Sequence, residues 1–289
     1  MKNITTYFTA DFKHWKKIDF FKRIFYAFLF INTLSLLPIV NDLFGYNGIS
    51  GSRGFIWNGT GSFLNLLNHP INHKQEWIHW LFVFGQLFFL GLGFFRIKPW
   101  LSSVSIWFLT ANLFLKGALF FTGGEVLVNF ILFYLIFIQK TDKESNNYLL
   151  QNTINNTFYI IILIQICVLY FFSTFWKLYD DNWLNGNAIY YISQIDSFSS
   201  GWLASLFENN MLLSKTMTYS VLMYQGSFII IVWIKKIKIP FLILGTLFHL
   251  TISIGMGIFT FGIIMSLSYI LFLEEKHIYW LKSFLVRKK

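Results

Sequence analysis

Long apolar runs separated by short connections dominate this chain. Six of them cover residues 24–40, 77–95, 101–121, 126–138, 157–175 and 213–234, and a seventh covers residues 240–273. A helix needs about 20 mostly apolar residues to cross a bilayer, so each of the first six predicts one span. The seventh has 34 residues, and its central Gly255-Met256-Gly257 favours a turn between two spans. The runs therefore predict an all-α, polytopic transmembrane helical bundle of about eight spans.

The proportion of charged residues supports this class. Only 12% of the residues are charged, against about 25% in average globular proteins, which excludes an ordinary soluble domain and a disordered chain. The net charge of +10 would favour nucleic acid in a soluble protein. In a membrane protein, basic loops stay on the cytoplasmic side and meet anionic lipid. The lipid bilayer, and no nucleic acid, is therefore the predicted partner.

The basic residues also predict an orientation. With the N-terminus inside, 18 of the 23 Lys and Arg residues fall on inner segments and five on outer segments, as the positive-inside rule requires. We therefore predict a multi-pass protein of the cell membrane with both termini cytoplasmic. The two long connections, residues 41–76 and 176–212, would then both face outward. Long connections between rigid elements often carry function.

The whole chain, residues 1–289, is predicted to form a single transmembrane domain. Within it, the two ends of the chain are predicted to differ from the spans. Phe12, Trp15 and Ile18 alternate with lysines, which predicts a short interfacial helix within a cytoplasmic segment, residues 1–23. No small-residue cleavage site follows the first apolar run, so that run is interpreted as a retained span and not as a signal peptide. Residues 274–289 form a predicted basic cytoplasmic tail.

Lys177 is the first candidate site residue. It lies where the fifth predicted span meets the second outer loop, with Asp180 and Asp181 three and four residues later. One interpretation is an interfacial lysine that snorkels beside Trp176 or pairs with these acids. The other is a neutral amine base, favoured by apolar walls, in a cavity open to the outer side near Trp183. The base requires both acids to turn away from the amine.

Other polar residues within the apolar runs are further candidates. His249 lies well inside the seventh predicted span, where an ionisable residue is either functional or an interhelical hydrogen-bonding group. Gln225 has the same two interpretations. Lys116 and Glu125 flank a Gly-Gly turn, and they predict either a structural ion pair or a Glu125 that faces the same outer cavity as Lys177.

A metal site is not predicted. His69, His73, Glu76 and His79 cluster in the first outer loop, and the last three could share a helical face. Pro70 interrupts a helix through His69, and no matching ligand motif occurs elsewhere. The sequence also contains no P-loop, dinucleotide glycine motif or nucleophile elbow.

Two segments resemble a known family. The first is Trp176-Lys-Leu-Tyr-Asp-Asp-Asn-Trp183, followed by Leu-Asn-Gly186 and Ala188-Ile-Tyr-Tyr191; the second is His249-Leu-Thr-Ile-Ser-Ile-Gly-Met256 with Phe259. Together they resemble the HTTM (horizontally transferred transmembrane) family, which includes vitamin K-dependent gamma-carboxylase. The chain also resembles compact bacterial membrane proteins that mature a peptide toxin.

The resemblance implies a function and a site. It implies a quinol-linked enzyme with carboxylase-like, lyase-type chemistry that modifies or matures a peptide or small secreted protein at the outer membrane face. The resemblance makes Lys177 and His249 the predicted catalytic residues and a quinol, such as menaquinol or vitamin K hydroquinone, the predicted cofactor. From the positions of the polar residues themselves, we further predict that Trp183, Gln225 and Glu125 bind the cofactor. The alternative is a non-catalytic membrane scaffold, or an immunity or maturation partner of a secreted peptide, which would not need Lys177 as a free amine.

Overall fold

The structure is a computed structural model. It describes residues 8–50, 66–67, 75–118, 121–196 and 198–286. For residues 282 and 284–286 it describes the backbone and not the side chain. Within these ranges every regular element is helical and no strand is present, so the all-α prediction is confirmed. The chain divides into two compact units, Met1–Ile162 and Leu163–Lys289, and each is described by itself. The single-domain interpretation stays a prediction.

The described part of the N-terminal unit contains, from Trp15 onwards, five helices and the first half of a sixth. These are α1 (Trp15–Leu36), α2 (Val40–Phe44), α3 (Glu76–Phe94), α4 (Pro99–Lys116), α5 (Gly123–Phe137) and α6 (Tyr148–Lys177), with a 3-10 turn at Leu37–Ile39 between α1 and α2.

The C-terminal unit contains the second half of α6 and seven further helices. These are α7 (Asp181–Leu184), α8 (Ala188–Ser193), α9 (Gly201–Glu208), α10 (Met211–Ile231), α11 (Lys238–Gly255), α12 (Phe259–Ser268) and α13 (Glu275–Val286), with a 3-10 turn at Tyr269–Phe272 after α12.

The predicted apolar runs coincide with these helices. Four helical segments are long and apolar enough to cross a membrane: Trp15–Phe44, Glu76–Phe94, Tyr148–Lys177 and Lys238–Gly255; Gly123–Phe137 and Phe259–Phe272 are apolar but shorter. The last run breaks where the sequence predicts, because α11 ends at Gly255 and Gly257 has a φ of 67° before α12 begins. The count of eight spans and the orientation of the termini stay predictions.

Neighbouring helices pack in sequence in the N-terminal unit, α1 on α3, α3 on α4 and α4 on α5. Gly93 permits close approach, because a Cβ there would lie 2.9 Å from the Tyr26 ring. The Tyr26 hydroxyl bonds Ser103 Oγ at 3.2 Å. On the outer surface Phe84 and Phe88 are 55% and 61% exposed, which is unfavourable in water and ordinary in lipid.

The helix that leads into the first predicted span carries two buried lysines, and the interfacial helix stays a prediction. One continuous helix, α1, begins at Trp15, and Lys17 and Lys22 on it are buried. The sequence pattern treats lysines as solvent-facing, but both amines have buried partners. Lys17 donates to the Tyr159 hydroxyl, and Lys22 donates to carbonyl oxygens at the end of α5. Whether residues 1–23 contact the inner leaflet stays a prediction.

In the C-terminal unit the second long connection, residues 176–212, forms the three short helices α7, α8 and α9. The backbone N–H and side-chain hydroxyl of Ser200 both donate to the Gly255 carbonyl, at 2.9 Å and 2.8 Å. This segment therefore packs on the C-terminal end of α11, next to the last turns of α6.

Candidate functional site

Lys177 is the final residue of α6, and its amine is held by neutral groups. The Nζ atom donates to Ser173 Oγ at 2.7 Å and to the Ser173 carbonyl at 3.2 Å, one turn earlier on the same helix. On its other side the amine lies 5.0 Å from the centroid of the Trp183 ring, on α7, within cation–π distance. Local helix geometry and one short loop therefore fix the position of the amine.

Neither neighbouring acid pairs with this amine in the described part of the chain. The Asp180 carboxylate accepts the Asn182 backbone N–H at 2.8 Å and thereby caps α7, while Asp181 is the first residue of that helix. Among the described residues no carboxylate lies within ion-pair distance of Lys177. Asp and Asn are favoured helix caps, and this local preference separates the acids from the lysine.

Ser173 links Lys177 to the interior of the unit. Its hydroxyl accepts the lysine hydrogen bond and donates to Gln225 Oε1, on α10, at 3.2 Å. Gln225 is buried. Three residues predicted for the site, Lys177, Trp183 and Gln225, are therefore brought together, and Ser173 is the residue that joins them.

His249, on α11, belongs to a second polar group. This group includes Tyr170 of α6, which lies one turn before Ser173. The His249 Nε2 atom is 2.7 Å from the Tyr170 hydroxyl. Tyr170 also bonds the Tyr269 hydroxyl, which lies 2.9 Å from the Tyr224 hydroxyl. All four side chains are buried. We call Tyr170, Tyr224, His249 and Tyr269 the tyrosine–histidine cluster.

The second ring nitrogen of His249 has no partner in the described part of the chain. Nδ1 is buried and makes no hydrogen bond there. In either neutral tautomer, Tyr170 satisfies one nitrogen and leaves Nδ1 as a donor or an acceptor. A buried polar atom without a partner costs free energy, so this nitrogen is a position where a water or a ligand atom would be stabilised.

Two glycines make the cluster possible. A Cβ at Gly245 would lie 1.7 Å from the Tyr224 hydroxyl oxygen, and a Cβ at Gly262 would lie 2.3 Å from the His249 carbonyl oxygen. Real Cβ atoms do not approach so closely. Glycine at these positions of α11 and α12 therefore lets the two helices and the Tyr224 side chain meet.

An apolar cavity of about 410 Å³ adjoins the cluster. Helices α10 and α11 and the short helices α8 and α9 supply its wall, in which Tyr224, Ser220 and Thr251 are the polar residues. Tyr224 thus belongs both to the cavity wall and to the cluster. Lys177 and His249 do not line this cavity, and whether the lysine faces an apolar-walled cavity stays a prediction.

Glu125 has a local role in the N-terminal unit. Its carboxylate accepts the Thr122 backbone N–H at 2.8 Å and the Thr122 hydroxyl at 2.7 Å, which makes a capping box at the start of α5. The predicted ion pair with Lys116 is therefore wrong, because the carboxylate is used by the cap. Its assignment to a cofactor stays a prediction.

Only some of the histidines near the predicted first outer loop lie within the described residues. His79 is buried on α3, Glu76 begins that helix, and His69 and His73 lie outside the described residues. Across the described ranges no group of three or more His, Cys, Asp or Glu side chains could hold a metal ion. The expectation about the histidine loop itself stays a prediction.

Sequence reasoning missed Ser173 and the three tyrosines. Ser173 and Tyr170 precede Lys177 by four and seven residues, so all three lie on one face of a helix. A hydroxyl-bearing face on an otherwise apolar helix was the available signal. Tyr224 and Tyr269 come from distant parts of the sequence, and no local pattern connects them with His249.

Comparison with known proteins gives distant relatives. The chain is 27% identical over 205 residues to sporulation-delaying protein SdpB of Bacillus subtilis (strain 168), covering 65% of this chain and 62% of SdpB. It is 26% identical over 193 residues to the uncharacterized protein YitO of the same strain, covering 61% of each chain. The match thus spans about three fifths of the length of either relative. No family model matches the chain, and no solved structure matches it.

Proposed function

We propose that this chain is a bacterial multi-pass membrane protein that modifies or matures a secreted peptide at the outer membrane face, with Lys177 as a general base. Four helical segments are apolar and long enough to cross a membrane, and the distribution of Lys and Arg favours an outward-facing second loop. The similarity to a sporulation-delaying protein supports a role connected with a secreted factor. The carboxylase-like chemistry rests on the resemblance to the HTTM family.

The observation that carries the proposal is the environment of the Lys177 amine. Its hydrogen-bond partners are two neutral oxygens of Ser173, and the neighbouring Asp180 caps α7 instead. A carboxylate partner would hold the amine as ammonium and block its lone pair. Without one, the amine can take a proton from a substrate, and Ser173 Oγ orients it for that step.

A quinol is compatible with the residues beside this site. The cavity wall is largely apolar, which suits an aromatic ring with a hydrocarbon tail, and Tyr224, Ser220 and Thr251 offer hydroxyl groups. When bound, a quinol would supply an acidic hydroxyl and reducing equivalents. Because Lys177 is not in the wall, a proton from the cavity would need a relay. The hydroxyls of Tyr224, Tyr269 and Tyr170 form a hydrogen-bonded chain that ends one turn before Ser173.

The test compares variants of Lys177 in bacterial cells that express the chain together with its neighbouring genes. Secreted peptides are analysed by mass spectrometry, and membrane insertion is measured by immunoblot. Lys177→Ala should lower the yield of modified or processed peptide at least about 100-fold, the usual contribution of a general base. Lys177→Arg should fail equally, because guanidinium stays protonated at neutral pH.

Lys215 supplies the matched control. It is an exposed lysine on α10 in the same unit, and Lys215→Ala should leave the product unchanged. A normal product from Lys177→Arg would contradict the base and would leave Lys177 as an interfacial cation.

A second candidate function is a non-catalytic scaffold or immunity partner of a secreted peptide. It is favoured by the exposed Trp176 and Tyr179 beside Lys177, 67% and 72% exposed, since aromatic residues of this kind mark a membrane interface. In this case Lys177→Arg would retain the phenotype. The peptide would co-purify with the chain without any change in mass.

The topology of eight spans is part of the proposal. A Cys167→Ser background, which removes the one cysteine, allows the single substitutions Asn47→Cys and Asn209→Cys, both at exposed positions. Both introduced thiols should react with a membrane-impermeant maleimide from outside intact cells. Labelling of only one of them would contradict the proposed orientation.

A further inference from the structure

A second cavity, of about 260 Å³, lies in the N-terminal unit beside α1. Four basic residues line it, and we call it the basic cavity: Lys22 and Arg23 of α1, Arg96 of the connection between α3 and α4, and Lys140 after α5. Asp19 is the one acidic residue in its wall. The proposed function does not use this cavity.

The charges in the basic cavity are unbalanced. Asp19 is taken up by an ion pair with Arg96, which leaves Lys22, Arg23 and Lys140 without a carboxylate partner among the described residues. Lys22 donates to the Leu135 and Ile138 carbonyls, both at 2.9 Å. These bonds fix the position of its amine. Even without Lys22, the uncompensated charges of Arg23 and Lys140 leave the wall net positive, an environment in which an anion is stabilised.

Arg23 supplies the second, independent observation. Its guanidinium lies 5.1 Å from the centroid of the Phe94 ring, and its Nε atom is buried without a hydrogen-bond partner in the described part of the chain. A buried N–H of a charged group without an acceptor is costly. A phosphate oxygen is the strongest common acceptor for it, because guanidinium and phosphate geometries match.

The surroundings of the cavity indicate where the phosphate comes from. Phe95 and Ile97, on the same connection that carries Arg96, are 69% and 49% exposed, and Trp100 at the start of α4 is 59% exposed. Trp15 is in the cavity wall. Exposed aromatic and aliphatic residues next to cations are typical of the headgroup level of a bilayer. A ligand at this depth has hydrocarbon beside it on one side and water on the other.

We infer that the basic cavity binds the phosphate group of an anionic phospholipid such as phosphatidylglycerol. Arg23 Nε and the Lys140 amine bind the phosphate oxygens, and the amine of Lys22 lies beside them in the wall. The acyl chains lie against the exposed apolar side chains near Arg96. A lipid in this position joins α1 to the end of α3 and to the segment that follows α5, whose residues line the same cavity.

The experiment measures lipid binding to the purified full-length chain in detergent by native mass spectrometry. The probes are dioleoyl phosphatidylglycerol and, as the neutral comparison, dioleoyl phosphatidylcholine. Phosphatidylglycerol should bind at least about tenfold more tightly. Arg23→Gln and Lys140→Gln should each weaken its binding about tenfold, the usual size of one charge-assisted hydrogen bond.

Lys143→Gln is the control variant, because it removes the same single positive charge as Lys140→Gln. Lys143 is an exposed lysine close to Lys140 in sequence, with its side chain 81% exposed, and it is not a wall residue. It should leave the affinity unchanged. Lys140 is exposed and makes no described hydrogen bond, so its substitution tests the site even if Arg23→Gln fails to fold.

Three results would overturn the inference. Equal losses in Lys140→Gln and Lys143→Gln would mean general surface charge and no defined site. Equal binding of phosphatidylcholine would remove the requirement for an anionic lipid. The third result is displacement of phosphatidylglycerol by millimolar glycerol phosphate. If the displacing concentration is the same for the parent and for Lys143→Gln, the cavity would be assigned to a free phosphate compound.

Discussion

Lys22 in the N-terminal unit and Lys177 in the C-terminal unit both donate hydrogen bonds to neutral oxygens, but the acceptors differ in kind. Lys22 is buried and reaches two carbonyls at the C-terminal end of another helix, α5. Lys177 is half-buried and reaches only the preceding turn of its own helix, with Trp183 on its other side.

This difference separates a structural lysine from a candidate base. Lys22 satisfies carbonyl groups that the end of α5 leaves without partners, and its charge complements the helix dipole. Its removal would damage contacts between helices. The removal of Lys177 leaves only a serine that can bond elsewhere, so the folding of the C-terminal unit does not require it. We expect stability to depend on the first lysine and activity to depend on the second.

The largest expected effect on stability is in the C-terminal unit, at Gly262. A Cβ there would lie 2.0 Å from Ser253 Oγ and 2.3 Å from the His249 carbonyl oxygen, so Gly262→Ala must separate α11 from α12. Overpacking of this kind costs about 3 kcal/mol, measurable by denaturant unfolding in micelles. Gly91→Ala is the control, because nothing lies within 4 Å of an added Cβ there. Equal stability of the two variants would contradict the close packing of α11 and α12.

The next effect tests the structural lysine directly. Lys22→Met should lower the unfolding free energy by about 2 kcal/mol, because it leaves the Leu135 and Ile138 carbonyls without their donor. Lys177→Met should change stability by less than about 0.5 kcal/mol, since its helix-end bonds are local. The same unfolding assay compares both variants. A larger loss from Lys177→Met would reverse the comparison between the two lysines.

A smaller effect is expected in the tyrosine–histidine cluster. Tyr269→Phe removes a hydroxyl that bonds both Tyr170 and Tyr224, which should cost about 1.5 kcal/mol. If the cluster relays protons, the yield of peptide product should also fall. Tyr191→Phe is the matched control, because Tyr191 is exposed and its hydroxyl has no described bond. Loss of stability without loss of product would make the cluster purely structural.

The positions of the long apolar helices could be predicted from the sequence, because each depends on a local apolar run. The start of α6 could not. The run begins at residue 157, whereas the helix begins at Tyr148 and includes the buried residues Asn152, Asn155 and Asn156. Asn155 donates to the Gln139 carbonyl at 2.8 Å, and Asn156 donates to the Ala10 carbonyl at 2.8 Å. Hydropathy counts these amides as unfavourable, while distant partners stabilise them.

The contacts in the candidate site also divide into local ones, which the sequence could reveal, and distant ones, which it could not. The contacts of Lys177 with Ser173 and Trp183 are local, so sequence spacing could have revealed them. The contacts of His249 with Tyr170 and Tyr269 join residues 79 and 20 positions apart, and no spacing rule predicts them. At Glu125, the carboxylate is taken by a local cap on Thr122, three residues earlier, in place of an ion pair with Lys116, nine residues earlier. The burial of Lys22 could not be predicted, because its acceptors are backbone groups, which sequence patterns do not display.

The smallest expected effect comes from pH and concerns the N-terminal unit alone. The His14 ring lies just before α1, with its centroid 4.4 Å from that of Tyr159. Burial, then the nearby charges of Lys17 and Lys13, lower the pKa of His14 from 6.5 to about 4. Since the unfolded chain binds this proton near pH 6.5 and the folded chain only near pH 4, stability is full above pH 6.5 and declines as pH falls towards 4. Because the ring is only half-buried, solvent screening limits the loss to about 1 kcal/mol.

The measurement is hydrogen exchange of residues 8–20 at pH 7 and pH 5, corrected for the intrinsic rate, in parent and His14→Gln. The parent should lose protection of this segment at pH 5, while the variant should show the same protection at both pH values. The segment that carries Lys177 should not respond to His14→Gln at either pH, because the proton binds next to α1 and adds charge only beside Lys13 and Lys17. A pH response that persists in His14→Gln would mean that another group titrates, and it would remove His14 from the explanation of how the start of α1 is held.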